Sequence, residues 1–372
     1  MRNSEKHSAE ASGPERAARL FRFRGAMAAK HIDACLVSHL PNILYLTGFS
    51  GSNAALLISP SDVTLFTDPR YTIQANLESQ GCRIQIVQGS ALDALSSSLP
   101  RRELCRVGFE ASKITVSQRD SLAKASPKKV RWIAWDGQVE SLRMLKDPSE
   151  IATMREAANI ACSAWRDTLP LVKPGVRETD LAAEIEYRMR KMGAEGPSFD
   201  TIVASGERSA WPHARASCKL IGKNELVVFD LGAILRGYSS DLTRTVYVGK
   251  APTEVKCWYK AVQEAQEAAR SALHPGVNAE SVDSAARSVL RREGLAKKFI
   301  HSTGHGLGLE VHESPRLGRG EKTILRKDMI VTVEPGVYFE GQGGIRIEDD
   351  ALMTPSGAEF ITDALRELIE IG

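Results

Sequence analysis

The sequence is poor in cysteine and aromatic residues, and it lacks both a long apolar run and a dominant charge. Six cysteines (Cys35, Cys82, Cys105, Cys162, Cys218, Cys257) are scattered, the nearest pair 23 residues apart, with no Cys-x-x-Cys. That excludes a disulfide framework and leads one to expect a reduced, cytoplasmic protein. No stretch approaches the ~18–20 apolar residues of a membrane span, and no segment near the N-terminus has the apolar middle of a secretory signal. Lys and Arg total 49 against 46 Asp and Glu, a formal charge of +3, so neither nucleic acid nor an anionic membrane is expected as a partner. No Gly-rich phosphate loop follows a strand-like run, which argues against a nucleotide site.

What is present is ordinary globular material: 372 residues, 42% apolar and 26% charged, enough for two or three domains with a sizeable core. Residues 1–17 are polar, mixed in charge and free of aromatics, and read as a disordered tail. From 18 to about 140, β-rich runs at 54–59, 62–68, 83–88, 106–110 and 130–136 alternate with helical stretches, giving an α/β domain. A helix start follows, with Asp147 as N-cap, Pro148 at the first helical position and Glu150 closing a capping box. It opens a second domain, 141–372. Its first helix carries Ile151, Met154, Ala158, Ala161 and Trp165 on one apolar stripe, and its second, about 179–192, carries Leu181, Ile185 and Met189. Strand-like runs at 199–206 and 226–248 come next. Helical segments near 252–272 and 279–293 then lead to strand-like runs at 329–339 and 343–353, so that one helix–helix–strand unit looks used twice.

Four carboxylates of the second domain stand in unusual places. Asp230 follows Leu-Val-Val-Phe, Glu334 follows Met-Ile-Val-Thr-Val, Glu348 follows Gly-Gly-Ile-Arg-Ile, and Asp241 lies eleven residues past Asp230. Acids inside apolar β-runs are expected to be buried, and a buried carboxylate must meet a cation or take up a proton. Arg346 and Arg244 are the bases close by in sequence. Two arginines cannot neutralise four acids and also leave a cleft, whereas two divalent cations can. His305, in a glycine-rich segment, is the candidate imidazole. Oxygen-dominated ligation with one nitrogen favours Mn²⁺, with Co²⁺ or Zn²⁺ as alternatives. On spacing alone the same acids also fit a set of internal ion pairs, and His305 fits a core histidine.

The segments FDLGAILRGYSSDLTRT (229–245), STGHGLGLEVHESPR (302–316), VTVEPGVY (331–338) and GGIRIEDD (343–350) closely resemble the aminopeptidase P and prolidase metallopeptidases, peptidase family M24. The resemblance covers about 140–372. NILYLTGFSGS and LFTDPRYTIQA resemble the creatinase/prolidase N-terminal domain. The resemblance implies an α/β (α+β) chain with a creatinase-like α/β domain followed by a duplicated ααβ "pita-bread" catalytic domain. It implies two divalent metal ions, with Asp230 on one metal, Asp241 and Glu348 bridging, and His305 and Glu334 completing the other. It implies catalytic roles for Glu334 as proton shuttle, His312 as oxyanion stabiliser and His213. Substrate contacts fall to His213, His301, His312 and Arg346, the last weighed equally as an internal counter-ion.

The activity so implied is that of an Xaa-Pro aminopeptidase, a cytoplasmic exopeptidase in which a metal-bridged hydroxide attacks the bond before a second-position proline. The alternative is an Xaa-Pro dipeptidase (prolidase), with Arg316 as a partner for the substrate carboxylate. A creatinase-type hydrolase or a non-catalytic pita-bread module requires loss of acidic ligands that are all present. Small Xaa-Pro peptides are the expected partners, with a homodimer formed through the N-terminal domain. Cys218 stands where relatives carry an acid and Trp211 is bulkier than usual. Both bear on substrate preference rather than on hydrolysis.

Overall fold

The structure, a computed structural model, describes residues 13–99 and 105–372. The chain divides into two compact units between Arg143 and Met144. In the first, six strands form one sheet in the order Arg83–Ile86, Val63–Thr67, Ala54–Ile58, Ala34–Val37, Cys105–Phe109, Val130–Ala134. Ala54–Ile58 runs antiparallel to both neighbours and the other pairings are parallel. Ala34–Val37, four residues and buried throughout, is absent from the runs read in the sequence. The helix Gly13–Ala29 buries Phe23 and Met27 and takes in residues 13–17, which composition had assigned to the tail. The remainder of that tail, 1–12, lies outside the described residues. The unit ends three residues past the expected boundary because Gln138–Arg143 is a helix with Val139 and Arg143 buried. There Arg143 Nη1 donates to Asn42 Oδ1 at 2.7 Å.

The second unit opens on the capping box read from the sequence. Asp147 accepts from the N–H groups of Ser149 and Glu150, and Glu150 accepts from Asp147 N–H at 2.8 Å. The helix Pro148–Thr168 turns Met154, Ala158, Ala161 and Trp165 inward. The helix–helix–strand order then occurs twice, and the two halves share the connection into their second helices. Pro174-Gly175-Val176 and Pro275-Gly276-Val277 lead into second helices of 14 residues each, Glu178–Lys191 and Ala279–Arg292. Gly175 (φ 90°) and Gly276 (φ 93°) both take the left-handed conformation that favours glycine. Their N–H groups donate to Ile221 O and Leu325 O, each at 2.8 Å, and the N–H groups of Ile221 and Leu325 return to Val176 O and Val277 O, again at 2.8 Å.

Strands of the first half, joined by the C-terminal strand Ile369–Ile371, form a sheet in the order Ile369–Ile371, Leu242–Val248, Glu225–Leu231, Ile202–Ser205. Those of the second form the sheet Glu313–Leu317, Gly304–Gly306, Ile330–Val333, Asp349–Thr354, Gly357–Phe360, beside the hairpin Gly336–Phe339/Gly343–Arg346. Each half packs its helices on its own apolar cluster. One is centred on Trp165, Ile185, Val227 and Phe229, the other on Val262, Ala286, Val331 and Ile345. Of the chemistry-bearing acids, Asp230 lies within a strand, and Asp241, Glu334 and Glu348 stand one or two residues beyond strand ends.

Candidate metal centre and active site

In the pairing of Glu225–Leu231 with Leu242–Val248, Asp230 lies opposite Thr243. Asp241 is two residues before Thr243, so the two-residue period of a strand puts Asp230, Asp241 and Thr243 on one face. Thr243 then draws in the second half. Its hydroxyl donates to Glu348 Oε2 at 2.6 Å, and its carbonyl accepts from Glu348 N–H at 3.0 Å. His305 enters on Gly304–Gly306, where a Cβ at Gly304 would collide with the backbone carbonyl of Thr332. Glu334 follows Ile330–Val333 and is tied by its N–H to Thr303 O at 2.7 Å.

These placements bring the acids and the imidazole together. A ligand atom from each of Asp241, His305 and Glu348 lies within 4.8 Å of the other two. His305 Nε2 is 3.8 Å from Asp241 Oδ2 and 3.6 Å from Glu334 Oε1. Asp230 is held beside them by Arg346, whose Nη2 donates to Oδ2 at 2.5 Å. Arg346 is thereby the counter-ion of a proposed ligand. Arg244, the other base close by in sequence, is not. Its guanidinium binds Asp349 Oδ1 at 2.7 Å and the carbonyls of Thr243 and Glu348, supporting the backbone behind the acids.

Whether the residues fit divalent ions can be read from what is left over. Asp230 Oδ1, Asp241 Oδ1 and Glu348 Oε1 are buried without a hydrogen-bond donor among the described residues. Buried carboxylate oxygens are seldom left so, and three from three chain segments in one cluster fit cation ligands. The imidazole is prepared in the same sense. His305 Nδ1–H donates to Gly306 O at 3.0 Å, which leaves the lone pair of Nε2 facing Asp241 and Glu334. Burial pushes its pKa down to about 4, so the ring is neutral. In the absence of cations, burial and mutual repulsion hold Asp241 and Glu348 well above the carboxylate range, and burial pushes Glu334 up to about 8.

The cluster forms the floor of a cavity of about 730 Å³ whose walls include His213, His301, His312, Arg215 and Arg316. His213 and His312 are exposed, and the His312 ring lies 4.4 Å from that of His305, centroid to centroid. His301 is differently placed. Its Nδ1–H donates to Ser302 O at 2.8 Å, and its Nε2 accepts from Tyr338 OH at 2.9 Å. The phenol oxygen accepts in turn from Arg346 Nη1 at 2.8 Å. Both ring nitrogens are therefore engaged, and His301 offers the cavity a ring face rather than a hydrogen bond. Burial, seconded by Arg346, pushes its pKa down to about 4. Trp211 is 56% exposed with the Arg208 guanidinium 5.0 Å from its ring centroid, and Cys218 is exposed.

Two functional positions were missed in the sequence. Thr243 bridges Glu348 and Arg346, receiving Arg346 Nε at 3.1 Å, but a threonine in a strand is unremarked β-branched usage. Tyr338 closes the chain from Asp230 through Arg346 to His301. Its one signal was its place at the end of the VTVEPGVY segment.

Residues 152–355 match metallopeptidase family M24, and residues 19–145 match the creatinase/prolidase N-terminal domain. A protein of Pyrococcus furiosus named Xaa-Pro dipeptidase is 36% identical over 95% of this chain and 99% of its own length. The solved structure of an Xaa-Pro dipeptidase from Bacillus anthracis superposes with a TM-score of 0.92 at 38% identity, covering 96% of this chain and all of that one. That of an X-Pro aminopeptidase from Thermotoga maritima gives 0.88 at 36% identity, covering 95% and 99%. With both of its units so matched, the chain belongs to metallopeptidase family M24, and it is a peptide-bond hydrolase with a creatinase/prolidase-type N-terminal domain.

Proposed function

We propose that the chain is an Xaa-Pro dipeptidase, which hydrolyses the amide between the first residue and a terminal proline. The observation that carries this reading is the polarity of the cavity, with buried acids on its floor and Arg215 and Arg316 among its walls. A dipeptide ends in an amine and a carboxylate, and these walls offer each a partner of opposite sign. A longer peptide replaces the proline carboxylate with an amide, which offers an arginine a neutral carbonyl in place of an anion. The names of the relatives in Pyrococcus and Bacillus support the dipeptidase over the aminopeptidase expected first, although the Thermotoga structure carries the latter name.

In this reading Asp230, Asp241, His305, Glu334 and Glu348 hold two divalent ions, with Mn²⁺ proposed from the oxygen-rich donor set. Bound ions supply Lewis-acid polarisation of the scissile carbonyl and make water a stronger acid. The protein contributes the rest. Glu334, its side chain 16% exposed at the cavity edge, takes the proton of the attacking water and passes it to the proline nitrogen, a tertiary amide nitrogen that has no proton of its own. His312 and His213 donate hydrogen bonds to the developing oxyanion. His301 and Arg346 keep Asp230 and the cavity wall in place through Tyr338.

The test is turnover by metal-reconstituted protein of an Xaa-Pro dipeptide, its C-terminal amide and an Xaa-Pro-Yaa tripeptide. Hydrolysis of the free dipeptide alone is expected. Equal turnover of the tripeptide returns the aminopeptidase reading, and turnover that survives exhaustive chelation removes both. A homodimer belongs to the proposal and is checked by sedimentation. Among the described residues no helix is long and apolar enough to cross a membrane.

A further inference from the structure

The second helix of each half carries a buried carboxylate with a matching set of partners. In the first half Glu178 is fully buried at the start of Glu178–Lys191. Its Oε1 accepts from the N–H (2.8 Å) and the hydroxyl (2.9 Å) of Ser205. Its Oε2 accepts from Arg208 Nε at 3.1 Å and from the N–H (3.1 Å) and hydroxyl (2.7 Å) of Ser217. In the second half Asp283, equally buried, accepts through Oδ1 from the N–H (3.2 Å) and hydroxyl (2.8 Å) of Thr303. Its Oδ2 accepts from Arg287 Nε at 2.6 Å. In the ungapped offset of 101 residues that takes Pro174 to Pro275, Asp283 falls on Ala182, one helical turn beyond Glu178 and likewise buried.

The arginines match as well. Arg208 Nη2 donates to Arg215 O, and Arg287 Nη2 donates to His301 O at 2.5 Å while Nη1 reaches Phe299 O at 3.3 Å. Each acid–arginine pair therefore grips the ends of the segment that bears a cavity histidine. Ser205 and Ser217 bracket His213, and Phe299 and Thr303 bracket His301. A neutralised acid alone would need one partner, whereas these carboxylates and their arginines fix backbone on both sides of the histidine.

We infer that Glu178 and Asp283 are the positioning residues of the two histidine-bearing walls, Glu178 acting on His213 and Asp283 on His301. The inference rests on the reading of these histidines as groups that face the substrate. A displacement of about 1 Å in such a group costs on the order of a hundredfold in rate, so the expected effect of loosening a wall is about tenfold to a hundredfold in kcat/KM.

The experiment is a pair of double-mutant cycles in the metal-loaded full chain, assayed on an Xaa-Pro dipeptide well below the melting temperature with bound metal measured in parallel. Glu178→Gln and Asp283→Asn are expected to lower kcat/KM with metal content unchanged. In a His213→Ala background Glu178→Gln should have almost no further effect, yet it should keep its full factor in a His301→Ala background. Asp283→Asn should show the reverse. A merely structural role predicts the same factor in both backgrounds, and that result overturns the inference. If a carboxylate variant does not fold, Arg208→Lys and Arg287→Lys, which keep the charge and lose the carbonyl contacts, go through the same cycles with the same criterion. If the single histidine variants turn over normally, the reading of the cavity itself fails, a pattern distinct from additive cycles.

Discussion

Replacing Glu334 with glutamine should stabilise the metal-free protein, by an amount that depends on pH. Without cations burial pushes this carboxyl up to about 8 from an ordinary 4.5. Below about pH 4.5 it is protonated in the folded and unfolded states alike and contributes nothing. Between about 4.5 and 8 the unfolded chain has released the proton that the folded chain still holds, so stability falls by about 1.4 kcal/mol per pH unit. At pH 7 the accumulated loss is about 3 kcal/mol, and above pH 8 it is constant. Glutamine keeps the shape and has no proton to lose. The metal-free Glu334→Gln variant should therefore match the parent near pH 4.5 and exceed it at pH 7 by about 3 kcal/mol, a gain of roughly 6–12 °C in melting temperature for a unit of this size. Melting curves of both metal-stripped proteins between pH 4.5 and 8 measure this directly. With divalent ions added the order should reverse, since the variant offers one anionic ligand fewer. A metal-free difference that is flat in pH, or a variant less stable than the parent at pH 7, refutes the argument that burial keeps Glu334 protonated in the metal-free protein.

Loading the protein with Mn²⁺ at pH 7 should release protons, because Asp241, Glu334 and Glu348 are all held above the carboxylate range without it. Calorimetric titrations in buffers of different ionisation enthalpy report the number released, and buffer-independent heats would contradict it. Arg316→Ala should raise KM for an Xaa-Pro dipeptide about 10–100-fold through loss of one charge-assisted contact, with kcat nearly unchanged, and should not alter KM for the dipeptide amide. Gly304→Ala forces a methyl group into the Thr332 carbonyl, so a loss of about 1–3 kcal/mol or more in chemical denaturation is expected. Alkylation of the exposed Cys218 and Cys257 should leave turnover intact.

The parts of this protein that were legible in its sequence are those in which chemistry contradicts its surroundings. Asp230, Glu334 and Glu348 stand out because a carboxylate does not belong in a buried β-run, and Asp147 and Glu150 because a capping box is local in sequence. The duplication was only suggested, since the halves share few identical residues. What relates them is a Pro-Gly-Val entry, equal helix lengths and backbone hydrogen bonds to segments far along the chain. The residues that hold the site together left no mark for the same reason. Thr243 meets Glu348 across 105 positions and Arg346 across 103, and a threonine or tyrosine in a strand reads as normal β usage. Arg244 lies three positions past Asp241, yet the strand alternation turns it to Asp349.

The ligand set is divided between the two halves. Of the proposed ligands, Asp230 and Asp241 come from the first, His305, Glu334 and Glu348 from the second, so in this reading neither repeat owns a complete site. Cations held at that seam would act as a clasp. Unfolding either half would discard the binding free energy of both ions, and the two repeats would melt as one cooperative body in the loaded state even if they could be teased apart in the stripped one. A duplicated fold would in this way acquire an indivisibility that neither copy has alone.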